Sequence, residues 1–270
     1  MSGFRIRDFE LDYKVDKSGL REKVTNPIFV EGLRGVGHVG LLASNHLIGE
    51  LDFEKVTDIY STHFSEPLSR GKSPGVVYSE DGTVKLHFNE LFYSSEHDLF
   101  VYKGLYQGDY CEYYYRHANL IIDFCEEFDV ECVYTLGGLG TGVEREEPET
   151  RAVITRPNQA SQLKPYTKIQ KGKENRPAIT GISGLLIGLA EKNGMEAVSF
   201  LGETHGSYPD AKAAKSVLET LTGILGIDLD LSKLDDTAEE LKERKEKFKR
   251  KMESLRGRGR QERGDRRYVG

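Results

Sequence analysis

Glu203 and His205 stand two residues apart in Gly202-Glu203-Thr204-His205-Gly206. A carboxylate beside an imidazole can act as an acid/base pair or as two ligands of a metal ion. No second histidine stands at ligand spacing, so hydrogen bonding within the loop is the favoured role. The sequence therefore predicts no metal and no cofactor.

Two glycine-rich stretches could cradle a phosphate. Gly35-Val36-Gly37-His38-Val39-Gly40 matches the dinucleotide fingerprint, follows an apolar run and opens a helix. The next strand, however, ends Tyr60-Ser61-Thr62-His63-Phe64, without the acid that would hold a ribose. The favoured reading is that small residues let this helix pack close to a sheet. Gly137-Gly138-Leu139-Gly140-Thr141-Gly142 is followed by Val143-Glu144-Arg145-Glu146-Glu147-Pro148. With no Lys-Ser/Thr pair and with three carboxylates nearby, it predicts a mobile rim loop and no P-loop. Gly138, Gly140, Glu203 and His205 are the candidate pocket residues. Ser183, in Gly181-Ile182-Ser183-Gly184, lacks the spacing of a nucleophile elbow. No catalytic residue is assigned.

The elements that must position these groups alternate in type. Pro27–Glu31 reads as a buried strand and Val36–Glu50 as a helix. Val56–Phe64 is a strand, and Glu80-Asp81-Gly82 marks a hairpin between Val76–Tyr78 and Val84–Glu90. Asp98–Tyr102 is a further strand. Asp109 and Glu112 have capping-box spacing ahead of a helix with Tyr110, Tyr114, His117, Ile121, Phe124 and Phe128 on one face. Tyr113-Tyr114-Tyr115 cannot all be covered by that face, so at least one ring should look into a groove or at a partner. Glu131–Leu136 and Ala197–Leu201 are strands, Thr180–Glu191 is a helix, and Pro209-Asp210 starts another. Residues 157–177, with Pro157, Pro165 and Pro177, predict a long surface loop or lid. Helix, strand, loop and helix in repetition indicate one α/β domain with a mixed central sheet.

The core is expected over 1–230. Leu231, Leu234, Ala238, Leu241, Lys245, Phe248, Met252 and Leu255 follow heptad spacing and predict an amphipathic helix over 231–255. Packing on its own domain is favoured over contact between subunits. Residues 256–270 are predicted to be a disordered basic tail.

The chain has 270 residues, 37% hydrophobic and 30% charged, with mean hydropathy −0.52. No apolar run approaches the roughly 18 residues of a membrane span, so no membrane association is expected. The charged residues among the first twenty do not resemble a signal peptide. Cys111, Cys125 and Cys132 form no C-x-x-C pair, which fits reduced thiols and a cytoplasmic protein. Lys242–Gly270 holds 13 basic and 5 acidic residues, whereas the whole chain is net −6. Such a tail could attract nucleic acid, but the acidic body makes that partner the less favoured one.

The glycine-rich helix starts, the Gly137–Gly142 loop, Thr180-Gly181-Ile182-Ser183-Gly184-Leu185-Leu186 and Gly202-Glu203-Thr204-His205-Gly206-Ser207-Tyr208-Pro209-Asp210-Ala211 together resemble the proteasome assembly chaperone 2 family, above all its archaeal members. The resemblance spans about 27–226. It implies a three-layer α/β core like that of nucleoside phosphorylases, a homo-oligomer, and partners among proteasome α subunits or related assembly factors. Some related sequences carry an ATP-grasp ligase label, but no nucleotide-binding constellation is legible here. A further feature implied by the resemblance is a C-terminal hydrophobic-Tyr-any tripeptide that docks between proteasome α subunits. This sequence ends Arg267-Tyr268-Val269-Gly270, with the tyrosine one place early and an arginine before it. Tyr268, Val269 and Gly270 are the candidate partner-binding residues. The expected function is a non-enzymatic proteasome assembly chaperone-like or proteasome-interacting protein. The alternative is an enzyme acting on a nucleoside or another small polar ligand.

Overall fold

The computed structural model describes residues 4–68, 71–73, 75–108, 110–172 and 178–264. Near the amino end are β1 (Phe9–Tyr13) and α1 (Lys17–Lys23), the latter capped by Asp16 through Gly19 N at 2.7 Å. β2 (Ile28–Leu33) is followed by a 3-10 turn at Val36–His38, α2 (Val39–Glu50) and β3 (Glu54–Ser61). Two small hairpins come next, β4 (Glu66–Leu68) with β5 (Gly71–Ser73), and β6 (Val76–Tyr78) with β7 (Val84–Leu86). β8 (Phe88–Ser94), β9 (Leu99–Gly104), α3 (Cys111–Glu127) and β10 (Cys132–Gly140) lead to β11 (Thr150–Ile154). α4 (Gln159–Leu163), β12 (Lys168–Ile169), α5 (Gly181–Lys192), β13 (Glu196–Thr204), α6 (Ala211–Leu225) and α7 (Ser232–Gly264) complete the described chain.

Nine strands form one sheet in the order β1-β3-β8-β9-β2-β10-β13-β11-β12. β9, β2, β10 and β13 run parallel, β1, β3 and β8 pair antiparallel with their neighbours, and β11 runs antiparallel to β13 and parallel to β12. This is the mixed sheet expected from the alternating elements. The parallel strands are covered on both faces, which is why β2 reads as a near-continuous apolar run. On one face, α3 and α5 meet Phe29, Leu33, Phe100, Val133 and Ala197. On the other, α2 and α6 meet Val30, Val101, Leu136, Val198 and Phe200. Alternate residues of each strand thus build two separate cores.

Several sequence expectations need correction. β10 continues through Gly140 and β13 through Thr204, paired residue by residue from Cys132 and Glu196 onward. Gly137–Gly140 is therefore strand and not a rim loop. Its glycines admit the 3-10 turn, since a Cβ on Gly138 would overlap the Val36 carbonyl. Glu203 lies on β13, with only His205 beyond it. Within 157–177, α4 and β12 replace the expected irregular loop. The Gln159 side-chain oxygen accepts from Thr155 N and Arg156 N at 3.1 and 2.9 Å, and Leu163 is buried. Residues 173–177 lie outside the described residues, as does Asp109. α3 begins after Tyr110, which gives no side-chain cap. α7 continues past Leu255 to Gly264, where the disordered tail had been expected to have begun.

Candidate functional site

At the carboxyl ends of the parallel strands the sheet splits. β2 and β10 are paired only from Ile28↔Cys132 to Glu31↔Thr135. Beyond that point β2 stays with β9 and β10 stays with β13. The chain leaves β2 for α2 on one face and β9 for α3 on the other. Such a switch in an open α/β sheet leaves a crevice. Here it is a cleft of about 1120 Å³, lined by the turns after β2 and β9, the end of β10 and the first turn of α5.

Gln107 ties these walls together. Its side-chain oxygen accepts from Ile182 N at 3.1 Å and its Nε2 donates to the Arg34 carbonyl at 2.6 Å. Gly181, at φ +81°, approaches Gln107 so closely that a Cβ would meet its oxygen at 2.5 Å. Arg34 reaches the cleft from the turn after β2 and donates through Nε to His38 Nε2 at 3.0 Å. Burial, helped by this guanidinium, lowers the His38 pKa. Tyr114, Tyr115, Leu105 and Ile179 line the aromatic and aliphatic parts of the walls. Tyr115 is exposed, as the three-tyrosine run predicted for at least one ring.

Beneath the cleft lies a polar row that the sequence analysis missed. Tyr102, Glu31, Thr135 and Ser199 are register neighbours on β9, β2, β10 and β13, so all four point to the α3/α5 face. Glu31 is completely buried. One carboxyl oxygen accepts from Leu33 N at 2.9 Å, and the other has no hydrogen-bond partner. Burial pushes its pKa up to about 7, opposed by the Leu33 amide and the nearby Ser183 hydroxyl. Thr135 Oγ1 and Ser199 Oγ are likewise buried without a partner.

Tyr102 is better satisfied. Its hydroxyl accepts from Asn89 Nδ2 at 2.8 Å and lies 2.5 Å from His117 Nε2. His117 Nδ1 is 3.1 Å from the Gln107 carbonyl. Burial lowers the His117 pKa to about 4, so the ring is neutral at pH 7. Nδ1 then donates to the carbonyl and Nε2 accepts from the phenol. The only sequence sign of this row was a lone carboxylate inside an apolar run.

The candidate residues from the sequence fall in separate places. Gly138 and Gly140 line the cleft. Glu203 does not reach it. Its carboxylate is buried between Arg151, at 3.0 Å, and Arg145, at 2.9 Å. His205 stacks on Tyr208 with ring centroids 4.9 Å apart, and Lys245 of α7 lies 3.9 Å over the Tyr208 ring. Glu203 and His205 share no hydrogen bond. The glycine fingerprint serves close packing. Gly40 sits against the Leu136 carbonyl, and Gly37 at φ +59° sits against Thr204. No group of histidines, cysteines or carboxylates fit to hold a metal ion occurs among the described residues. No helix among them is long and apolar enough to cross a membrane. Tyr268, Val269 and Gly270 lie outside the described residues.

Comparison with known proteins matches this architecture. PbaB of Pyrococcus furiosus, described as an archaeal proteasome activator, is 31% identical and superposes with a TM-score of 0.78 over 90% of this chain and 100% of its own. PbaA of the same organism, described as an archaeal homolog of proteasome-assembly chaperone, is 25% identical, with a TM-score of 0.71 over 95% and 98% of the two chains. The uncharacterized protein MJ1210 of Methanocaldococcus jannaschii is 30% identical over 235 residues, 87% of each chain. The PAC2 family model matches residues 29–249, nearly the whole sheet with its covering helices and most of α7, and the chain therefore belongs to the PAC2 family.

Proposed function

We propose that this protein acts without catalysis, as a proteasome assembly chaperone-like or proteasome-interacting factor working as a homo-oligomer. The observation that carries this reading is the end-to-end similarity to PbaB, an archaeal proteasome activator, at 31% identity. Two features of the chain support it. The carboxylate–imidazole pair is dispersed, with Glu203 held by arginines and His205 stacked on a tyrosine. Apolar side chains also stand in the open on the β6–β7 hairpin, with Val76, Val77, Tyr78, Val84 and Leu86 all exposed. An isolated two-stranded hairpin is marginal in water, so such side chains suit a covering subunit.

The partner is a proteasome α-subunit surface, reached through the carboxyl-terminal residues Tyr268, Val269 and Gly270. Pull-down of 20S particles tests this with wild type, a deletion of 268–270, and a variant combining Arg267→Leu with removal of Gly270. Capture by wild type, its loss in the deletion and its gain in the repaired variant are expected. Equal capture by wild type and the deletion would move the contact to the α/β body. Failure of all three to capture 20S particles would end the proposal. Light scattering at micromolar concentration should show more than one subunit, and a clean monomer would remove the oligomer from the reading.

A further inference from the structure

The β6–β7 ribbon gathers its apolar side chains on one face. Its turn fixes which face each residue takes. Ser79 N donates to the Thr83 carbonyl and Gly82 N to the Ser79 carbonyl, both at 2.9 Å, with Gly82 at φ +80°. Asp81 closes the turn by accepting from Thr83 N at 3.0 Å. The resulting register pairs Val76 with Leu86, Val77 with Lys85 and Tyr78 with Val84. Successive side chains of a strand alternate between faces, and paired residues share one. One face therefore carries Val76, Tyr78, Val84 and Leu86 and no charge. The other carries Val77 and Lys85.

The uncharged face has no cover among the described residues. Val76, Tyr78, Val84 and Leu86 are 50%, 81%, 66% and 43% exposed. The neighbouring surface of β3 and β8 is finished differently. There Lys55 bridges Asp58 and Glu90 at 2.6 and 2.8 Å, and Lys103 reaches Glu90 at 3.2 Å. Those strands suit water and the ribbon face does not. Two strands alone are marginal, and stability needs more strands or a packed layer. The four side chains leave on the order of 400 Å² of mostly apolar surface in water, the size of a typical functional patch. A second such face laid on it would remove about twice that area, most of the roughly 1,000 Å² that a specific interface needs.

The occupant follows from sign and stoichiometry. An uncharged face needs an uncharged face opposite, because a charge set against it loses water without gaining a partner. Every copy of this chain carries such a face. Contact of like with like is isologous and has a two-fold axis. Charge sets the direction. Glu80 and Asp81 stand at the ribbon tip of a chain with net charge −6. Antiparallel packing keeps the two acidic tips apart, whereas parallel packing would bring them together. We propose that the apolar face of β6–β7 packs on the same face of a second copy, antiparallel about a two-fold axis, as two stacked ribbons about 10 Å apart. The inference rests on the reading of the protein as a homo-oligomer and names the surface that joins its copies.

The test uses the full chain in analytical ultracentrifugation, with Val84→Glu and Val84→Lys prepared separately. Val84 is exposed, so neither change disturbs the body of the domain. Each variant alone should raise the concentration for half-association by roughly tenfold or more, since like charges then meet across the axis. Mixing the two in equal amounts should recover much of that loss. Val77→Lys, on the opposite face, should associate as wild type does. Cross-linking gives a second readout that introduces no charge. In a Cys111→Ser background, which removes the exposed native thiol, a short bismaleimide should join Val84→Cys chains into covalent pairs and leave Val77→Cys chains single. A monomeric wild type would end both the homo-oligomer reading and this contact. An oligomer left intact by both charged variants, or no covalent pair through Val84→Cys, would overturn the contact alone. An odd number of subunits would do the same, because a two-fold contact joins copies in pairs. Loss of 20S capture in the Val84 variants, with association unchanged, would assign the face to the proteasome instead.

Discussion

The two faces of the central sheet solve the same packing problem in opposite ways. On the α2/α6 face, backbone meets backbone. Gly40 of α2 rests on the Leu136 carbonyl, Gly32 of β2 rests on α2 at Ser44, and a Cβ on Gly202 would come within 2.7 Å of the Ala213 carbonyl. The Ser44 hydroxyl donates to the Gly32 carbonyl at 3.0 Å, closing the seam. On the α3/α5 face, large rings fill the amino-terminal half of the sheet, with Phe100 flanked by Phe124 and Phe128. The carboxyl-terminal half instead carries Tyr102, Glu31, Thr135 and Ser199 under an open cleft. One face is sealed by the smallest residues. The other keeps buried polar atoms without partners, an arrangement that lowers stability and that natural proteins confine to sites of use.

The sharpest way to break this contrast is to add one carbon to the sealed face. Gly40→Ala is expected to cost more than about 3 kcal/mol, because the obstacle is backbone and cannot rotate away. Its melting temperature should fall by roughly 10 °C, read by calorimetry. The same substitution at Gly49, where no atom lies within 4 Å of a new Cβ, should be nearly silent.

The polar face should reveal itself through pH. Glu31 has a folded pKa of about 7, above its unfolded value near 4.5, so the native state binds the extra proton. Its contribution is present below pH 4.5 and is lost as pH rises to about 7, by up to about 3 kcal/mol. His117 has the opposite sign. With a folded pKa of about 4 against 6.5 unfolded, it lowers stability as pH falls from 6.5 to 4. The two slopes oppose each other between pH 4.5 and 6.5, which should leave wild type nearly flat there. Glu31→Gln should expose the His117 slope below pH 6.5 and be more stable than wild type at pH 8. Denaturant melts across pH 4–8 measure this, and unchanged profiles would contradict the buried position of Glu31.

Smaller effects are expected outside both faces. Lys245 pairs with Glu144 at 2.6 Å and lies over Tyr208, but it is partly exposed. Lys245→Ala should cost less than about 1 kcal/mol, while raising the rate of limited proteolysis in the distal part of α7. His205→Ala should be smaller still, and capture of 20S particles by this variant should equal that of wild type. A loss of capture at an unchanged melting temperature would give this loop a role at the partner surface.

Much of the fold was legible because its signals are local. The apolar run at Ile28–Val30, the periodic face of α3 and the Asp210 cap of α6, which accepts from Ala213 N at 3.0 Å, each act within a few residues. Other features depended on distant partners. The heptad stripe of α7 could have met another subunit or its own domain. In the structure Leu234 is buried on the body, Leu231, Ala238 and Leu241 pack beside it, and Phe248 is exposed. Gly137–Gly140 looked like a loop because glycine disfavours strands locally. Pairing with β13 and the approach of the Val36 carbonyl override that preference.

The sequence by itself determined the α/β class, the order of the main elements and the membership that its glycine positions betray. Glycine spacing, helix period and caps are properties of short stretches, and they survive without knowledge of neighbours. Only the tertiary structure decided which polar groups share a site. Glu203 and His205, two residues apart, point to different partners. Glu31 and Ser183 are more than a hundred residues apart in sequence, as are Arg34 and Gly181, yet the first pair meets in the interior and the second lines one cleft. Strand register and the split between β2 and β10 set those distances. Both arise from long-range pairing, which no local pattern encodes.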